Sequence, residues 1–236
     1  MKTIFCLSCV RNEEKHLQGF FNHLRNYVDG ILIVNDGSTD STAEIIKNEN
    51  KVIFSHRNEN SQGKFENESK NRFILLDQAA KMGADWVLCA DPDLRFETRF
   101  LKNIQKVISG AEAYGGNIVE LYLRELWDSL DYFRVDGIWK NKNRGFLFKM
   151  LKGNFFQREE RVHQCWYPSE FNPRGYFTKY NVYHLGMITK EQRLARYDKF
   201  KSILDETNNN GYGYEYLIDE RNLSLQKVSK EIGYIL

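Results

Sequence analysis

Two aspartates, Asp91 and Asp93, flank one proline straight after the apolar run Trp86 to Ala90. Carboxylates spaced i, i+2 at a strand end can converge on one hard cation. Mg2+ and Mn2+ prefer oxygen ligands and bridge to phosphate oxygens, and a departing diphosphate needs that neutralisation. A plain acidic turn has the same residues; the strand-end position is what favours a metal. A second acidic segment, Asn35-Asp36-Gly37-Ser38-Thr39-Asp40, follows the apolar run Ile31 to Val34. Ligands of open parallel sheets bind beyond the carboxyl ends of strands. A carboxylate there can accept from the ring N–H of a uracil or hold a ribose hydroxyl. The same residue types also make an ordinary helix-capping turn. A third segment is Tyr183-His184-Leu185-Gly186-Met187. A neutral imidazole binds borderline cations, and Gly186 suggests close backbone approach. The competing reading is a core histidine. As a ligand, His184 must be neutral, so cation affinity should fall as pH drops below about 6.5.

These groups need a scaffold that places strand ends side by side. Thr3 to Cys9, Ile31 to Val34, Val52 to Phe54 and Trp86 to Ala90 read as buried strands. Between them lie helical patterns. Leu17, Phe20, Phe21, Leu24 and Val28 recur at helical spacing after Asn12, a potential cap, and Gly30 ends that segment. Asp40 or Ser41 can cap a helix through Ile45 and Ile46. Further helices are expected over about Glu68 to Met82 and Thr98 to Ile108. The alternation implies a mostly parallel sheet with helices on both faces. After Gly110 the pattern changes. Ile118 to Leu123, Gly145 to Met150 and Tyr176 to Tyr183 read as strands, and Glu191 to Leu204 as a charged helix. Aromatics are dense between Trp127 and Tyr167, where they either stack on sugar faces or fill core. The expected organisation is one α/β domain, with a nucleotide-binding half over residues 1–110 and a mixed, aromatic-rich acceptor half over residues 111–236.

Composition narrows the class. The chain has 236 residues, 42% hydrophobic and 28% charged, with a formal net charge of +2. That suits a folded domain and argues against a nucleic-acid or membrane-surface binder, which usually carries a basic excess. Cys6 and Cys9 form a lone Cys-x-x-Cys in an apolar run, without a second pair to complete a zinc site. Reduced, buried thiols fit better. No run approaches the ~18 apolar residues that span a bilayer, and Arg11 to Lys15 cut short the apolar start. The expectation is a cytoplasmic protein without transmembrane segments, peripheral to a membrane where the acceptor is lipid-linked.

Taken together, Val10-Arg11-Asn12-Glu13-Glu14 after strand one, Asn35 to Asp40 after strand two and Asp91-Pro92-Asp93 after strand four resemble the signature of glycosyltransferase family 2. The resemblance covers roughly the first 110 residues. It implies a GT-A fold, Rossmann-like, and metal-dependent transfer of a sugar from a nucleotide-diphosphate donor, with UDP the expected nucleotide, to a glycan, glycolipid or other hydroxyl acceptor. By that resemblance Arg11, Asn12 and Glu13 line the base and ribose, and Asp36 contacts the uracil. Lys70 lies where a basic residue often approaches the nucleotide. Asp91 meets ribose or metal, Asp93 binds Mn2+ or Mg2+, and His184 completes the metal site. The Glu-Asp pair that supplies the general base in many members is absent, so Asp136 and Glu170 are the candidates for that role. Two other readings share the residues: a silent nucleotide- or glycan-binding domain that keeps the fold, and a sugar-1-phosphate nucleotidyltransferase. The latter usually carries a glycine-rich loop after strand one, which Arg11 to Lys15 lack.

Overall fold

The computed structural model describes residues 1–59, 61, 67–151, 166–167, 171–207, 213–229, 234 and 236. Its elements run β1 (Ile4–Val10), α1 (Glu14–Leu24), β2 (Gly30–Asn35), α2 (Thr42–Lys47), β3 (Val52–Arg57), α3 (Glu68–Lys81) and β4 (Trp86–Cys89). They continue with β5 (Leu94–Phe96), α4 (Thr98–Lys102), α5 (Ile104–Tyr114), β6 (Ile118–Glu125), β7 (Tyr132–Arg134) and β8 (Asn143–Lys149). The last are β9 (Gly175–His184), α6 (Lys190–Thr207) and β10 (Leu225–Lys227).

Eight strands form one sheet in the order β3-β2-β1-β4-β8-β6-β9-β5, and β10 pairs with β7 apart from it. Strands β1 to β4 are mutually parallel. Strand β8 runs against both β4 and β6, so β6 points the same way as β4, and β9 lies parallel to β6. The carboxyl ends of β1, β2, β4, β6 and β9 therefore share one edge of the sheet. That edge collects the functional side chains.

One face is covered by Leu17, Phe20, Phe21 and Leu24 of α1 with residues of α4 and α5; the other is covered by Leu75, Leu76 and Ala79 of α3. The spacing of the α1 residues puts all four on one stripe. Each contributes roughly 1.5–3 kcal/mol by burial, and Phe20→Ala would cost about 3–5 kcal/mol.

Three local expectations differ. Helix α1 stops at Leu24, and Gly30 opens β2 instead of ending the helix. Asn12 takes a left-handed conformation (φ 54°) in place of capping α1, which its short polar side chain tolerates. The single helix expected from Thr98 breaks at Asn103 into α4 and α5. Strand β5 was invisible as a three-residue run, yet it pairs antiparallel with the end of β9, Leu94 opposite His184. No described helix is long and apolar enough to cross a membrane.

Candidate active site

The loop after β1 is sewn to the loop after β2. Asn12 N–H donates to Ser38 Oγ at 3.0 Å, and Thr39 N–H donates to Asn12 Oδ1 at 2.8 Å. Glu13 N–H reaches Thr42 Oγ1 at 2.8 Å. Gly37 sits between them at φ +70°, and a Cβ there would lie 3.1 Å from the Asn58 carbonyl. Both facts favour glycine at this turn.

Asp36 is held by amides. Asn58 Nδ2 donates to Asp36 Oδ1 at 2.8 Å and to Asn71 Oδ1 at 2.7 Å. Arg11 Nη1 donates to the Asp36 carbonyl at 2.5 Å and to Ser61 Oγ at 3.2 Å. Partial burial would raise the Asp36 pKa, but hydrogen bonds from Asn58, Asn71, Ser61 and Asn67 outweigh it and hold the carboxyl below its ordinary value. The result is a fixed, ionised acceptor beside the ends of β1 and β3. Such a group suits a ring N–H.

The second centre joins residues 91 apart. Asp93 Oδ2 lies 2.8 Å from His184 Nε2, because β5 turns the chain back against β9 at that point. The other imidazole nitrogen, Nδ1, makes a short hydrogen bond to Glu125 Oε2, since Glu125 is the register partner of His184 across β6 and β9. Lys142 Nζ then donates to Glu125 Oε1 at 2.7 Å. Arg196 Nη1 comes within 3.2 Å of His184 Nε2. Beneath the turn, Arg95 is 2% exposed. It donates to the carbonyls of Pro92 at 2.7 Å, Leu94 at 2.9 Å and His16 at 3.1 Å.

Several observations test whether this centre fits a divalent cation. Two cis ligands at roughly 2.1 Å from an octahedral ion stand about 3.0 Å apart, close to the observed separation. A carboxylate on the far nitrogen of a histidine is the usual support of a metal-bound imidazole. At Gly186 a Cβ would fall 2.6 Å from Asp93 Oδ2 and 2.8 Å from His184 Nε2, so glycine leaves open the space over the pair. Negative charge is also crowded here. Burial, then Asp93 and Asp91, push Glu13 up to about 8. Burial and Asp93 push Asp91 up to about 6, although its side chain keeps solvent contact. No set of three or more His, Cys, Asp and Glu forms a ready cation cage among the described residues. A cation here would have Asp93 and His184 as protein ligands and take the rest of its shell from water or phosphate oxygens. The residues fit such a cation.

Burial would lower the His184 pKa, but Glu125 and Asp93 outweigh it and raise it to about 9. Burial would likewise raise Asp93; the charge of His184, its hydrogen bond and Arg196 bring it to about 2.

The sequence-derived candidates divide by position. Arg11, Asn12 and Asp36 meet in the first centre, and Glu13 and Asp91 feel the charge of Asp93. Lys70 is exposed; its neighbour Asn71 is the α3 residue that turns to Asp36. Asp136 accepts from Arg134 with both oxygens, at 2.8–3.1 Å, and from Ser224 N–H at 3.1 Å. Glu170 lies outside the described residues, as does Cys165. Cys6, Cys9 and Cys89 are free thiols. Glu125, Arg196, Asn58 and Asn71 went unnoticed in the sequence. The only signal for Glu125 was its place at the end of a strand pattern.

The model of glycosyl transferase family 2 matches residues 6–166. No curated protein matches the chain. Among solved structures, residues 1–349 of S. aureus TarS, also solved with UDP, are similar at 21% identity over 52% of this chain and 36% of that one, with a TM-score of 0.43. Glucosyl-3-phosphoglycerate synthase from Mycobacterium tuberculosis, in complex with Mn2+, UDP and glucosyl-3-phosphoglycerate, is similar at 17% identity. That match covers 52% of this chain and 44% of that one, with a TM-score of 0.36. The chain thus spans less than half the length of either.

Proposed function

Because the chain belongs to glycosyl transferase family 2, whose model covers residues 6–166, we propose that it transfers a sugar from a nucleotide-diphosphate donor to a hydroxyl acceptor with the help of a divalent cation. The observation that carries this reading is the 2.8 Å approach of Asp93 to His184, backed by Glu125. Asp36 takes the base, UDP being the donor nucleotide proposed, while Arg11, Asn12 and Glu13 border base and ribose. Lys70 is proposed to approach the nucleotide from the solvent side. Asp93 and His184 hold Mn2+ or Mg2+, and Asp91 adds a second oxygen donor or meets the ribose. When bound, the cation neutralises charge on the departing diphosphate.

Transfer with inversion needs a carboxylate within reach of the acceptor hydroxyl to take its proton. Asp136 and Glu170 are the groups proposed. Arg134 saturates Asp136 and keeps its pKa low, which weakens it as a base and shifts the role toward Glu170. The acceptor side lies in the aromatic second half, and the product is a glycan or cell-surface polysaccharide linkage. The test is release of UDP from a panel of UDP-sugars with Mn2+. Turnover by the native chain and its loss in Asp93→Ala, with the fold retained by circular dichroism, is the expected result. Equal turnover in both would remove the metal assignment, and none in either would favour a silent binding domain.

A further inference from the structure

Helix α6 brings two cations, Arg196 and Lys199, to the site. It starts with a reciprocal cap, Thr189 N–H to Gln192 Oε1 at 2.8 Å and Gln192 N–H to Thr189 Oγ1 at 3.2 Å. This is the capping-box arrangement. One turn in, Arg193 is 2% exposed. It donates to the carbonyls of Met187 and Ile188, pairs with Asp128 and Glu220 and stacks on Trp127 at 4.1 Å. The first turns of α6 are therefore anchored firmly, and the side chains that follow have a set height above the sheet edge.

Arg196 and Lys199 come next, three residues apart and so on one helix face. Arg196 reaches the cation centre, 3.2 Å from His184 Nε2. Lys199 lies toward the nucleotide centre, where its charge acts on Glu13 and is acted on by Glu13, Glu68 and Arg11. The pair thus runs from the Asp93–His184 centre toward Glu13 and Arg11, the direction in which a diphosphate would join a metal ion to a nucleoside.

We propose that Arg196 and Lys199 form a two-point cationic clamp for the diphosphate of the donor. The inference rests on the reading of this edge as a nucleotide-diphosphate pocket. A nucleoside diphosphate carries more negative charge than one divalent cation neutralises, and Glu13, Asp91 and Asp93 already crowd the site. Further positive charge is needed before the ligand can enter. A guanidinium offers paired N–H donors that match phosphate oxygens, and an ammonium is a mobile point charge. A cation held by Asp93 and His184 Nε2 would compete with Arg196 for that nitrogen and leave the guanidinium for a phosphate oxygen. Side chains one turn apart, about 5–6 Å at Cβ, suit two adjacent phosphates.

The clamp is tested by calorimetric titration of UDP and of uridine into the native chain and into Arg196→Ala, Arg196→Gln, Lys199→Ala and Lys201→Ala. Each titration is run in Mn2+ and in EDTA. Arg196→Gln keeps polar contact and bulk while removing the charge, which guards against a folding defect in the alanine variant. Lys201, which stacks on Tyr197, controls for lost helix charge. Loss of a charge-assisted contact predicts about a tenfold rise in Kd for UDP in the Arg196 and Lys199 variants. Uridine affinity should be unchanged, and Lys201→Ala should match the native chain. Unaltered UDP affinity, or equal weakening of UDP and uridine, overturns the clamp. A native chain that takes up neither ligand would instead remove the pocket reading beneath it.

Discussion

At the scale of single residues, Asp36 is fixed by Asn58 and Asn67 through its Oδ1, where the base is proposed to bind. A contact to the base is equally strong in ground and transition states. Asp36→Ala should therefore raise donor KM about tenfold or more and spare kcat. A collapse of kcat with unchanged KM would place Asp36 in the chemistry. Asp36 was legible because acidic residues at strand ends are readable. Its amide partners were not, since Asn58 and Asn71 meet it only after β3 and α3 have packed.

His184 illustrates how folding moves a titration. Its ordinary pKa suggested that cation affinity would fade below about pH 6.5. Two carboxylates, Glu125 and Asp93, raise it to about 9, so the window moves upward. A histidine raised on folding contributes stability that is complete below about 6.5 and is lost as pH rises through about 9. The metal-free chain should lose thermal stability across that interval, and Mn2+ affinity should rise across it, because the ion replaces a proton. Glu125→Gln should flatten both trends and raise the Mn2+ requirement about tenfold. A flat Mn2+ profile between pH 6.5 and 9 in the native chain contradicts this assignment.

At the scale of elements, the short strand β5 does more than its length suggests. It returns the chain from Asp93 to pair with β9, and Arg95 grips the turn carbonyls from below. Three residues with no alternation longer than a single step gave no strand signal, although the acidic turn beside them did. The turn at the end of β9 completes the arrangement. Gly186→Ala would set a methyl 2.6 Å from Asp93 Oδ2 and 2.8 Å from His184 Nε2. The expected effect is about a tenfold loss of Mn2+ affinity measured by EPR, with a stability cost near 1–3 kcal/mol for overpacking. Retained Mn2+ affinity would mean the ion binds elsewhere. Helix α1 shows the reverse case. Its apolar stripe was plain in the sequence, and only its ends were misplaced, because Asn12 serves the loop to Thr39 instead of the helix.

At the scale of the molecule, the four parallel strands of the first half were readable because each is a continuous apolar run between helix patterns. The second-half strands β6, β8 and β9 and helix α6 were readable as well; their order and direction in the sheet were not, for a topological reason. Strand β8 reverses between β4 and β6, and that reversal is what brings β6 and β9 into the same direction as β1. Only then do Glu125, from one strand, and His184, 59 residues later, reach the edge that holds Asp93. No local spacing encodes that meeting. The register does, through Glu125 opposite His184 and Leu94 opposite His184.

Asp93 and His184 are expected to share one divalent cation at this edge. A crystal grown with UDP and Mn2+ and measured for Mn anomalous scattering tests it directly. The account predicts an anomalous peak roughly 2.0–2.3 Å from both His184 Nε2 and an Asp93 carboxylate oxygen, with Glu125 still on Nδ1. A UDP-bound crystal in which Asp93 and His184 remain hydrogen-bonded to each other, with the manganese signal absent or elsewhere, would contradict it.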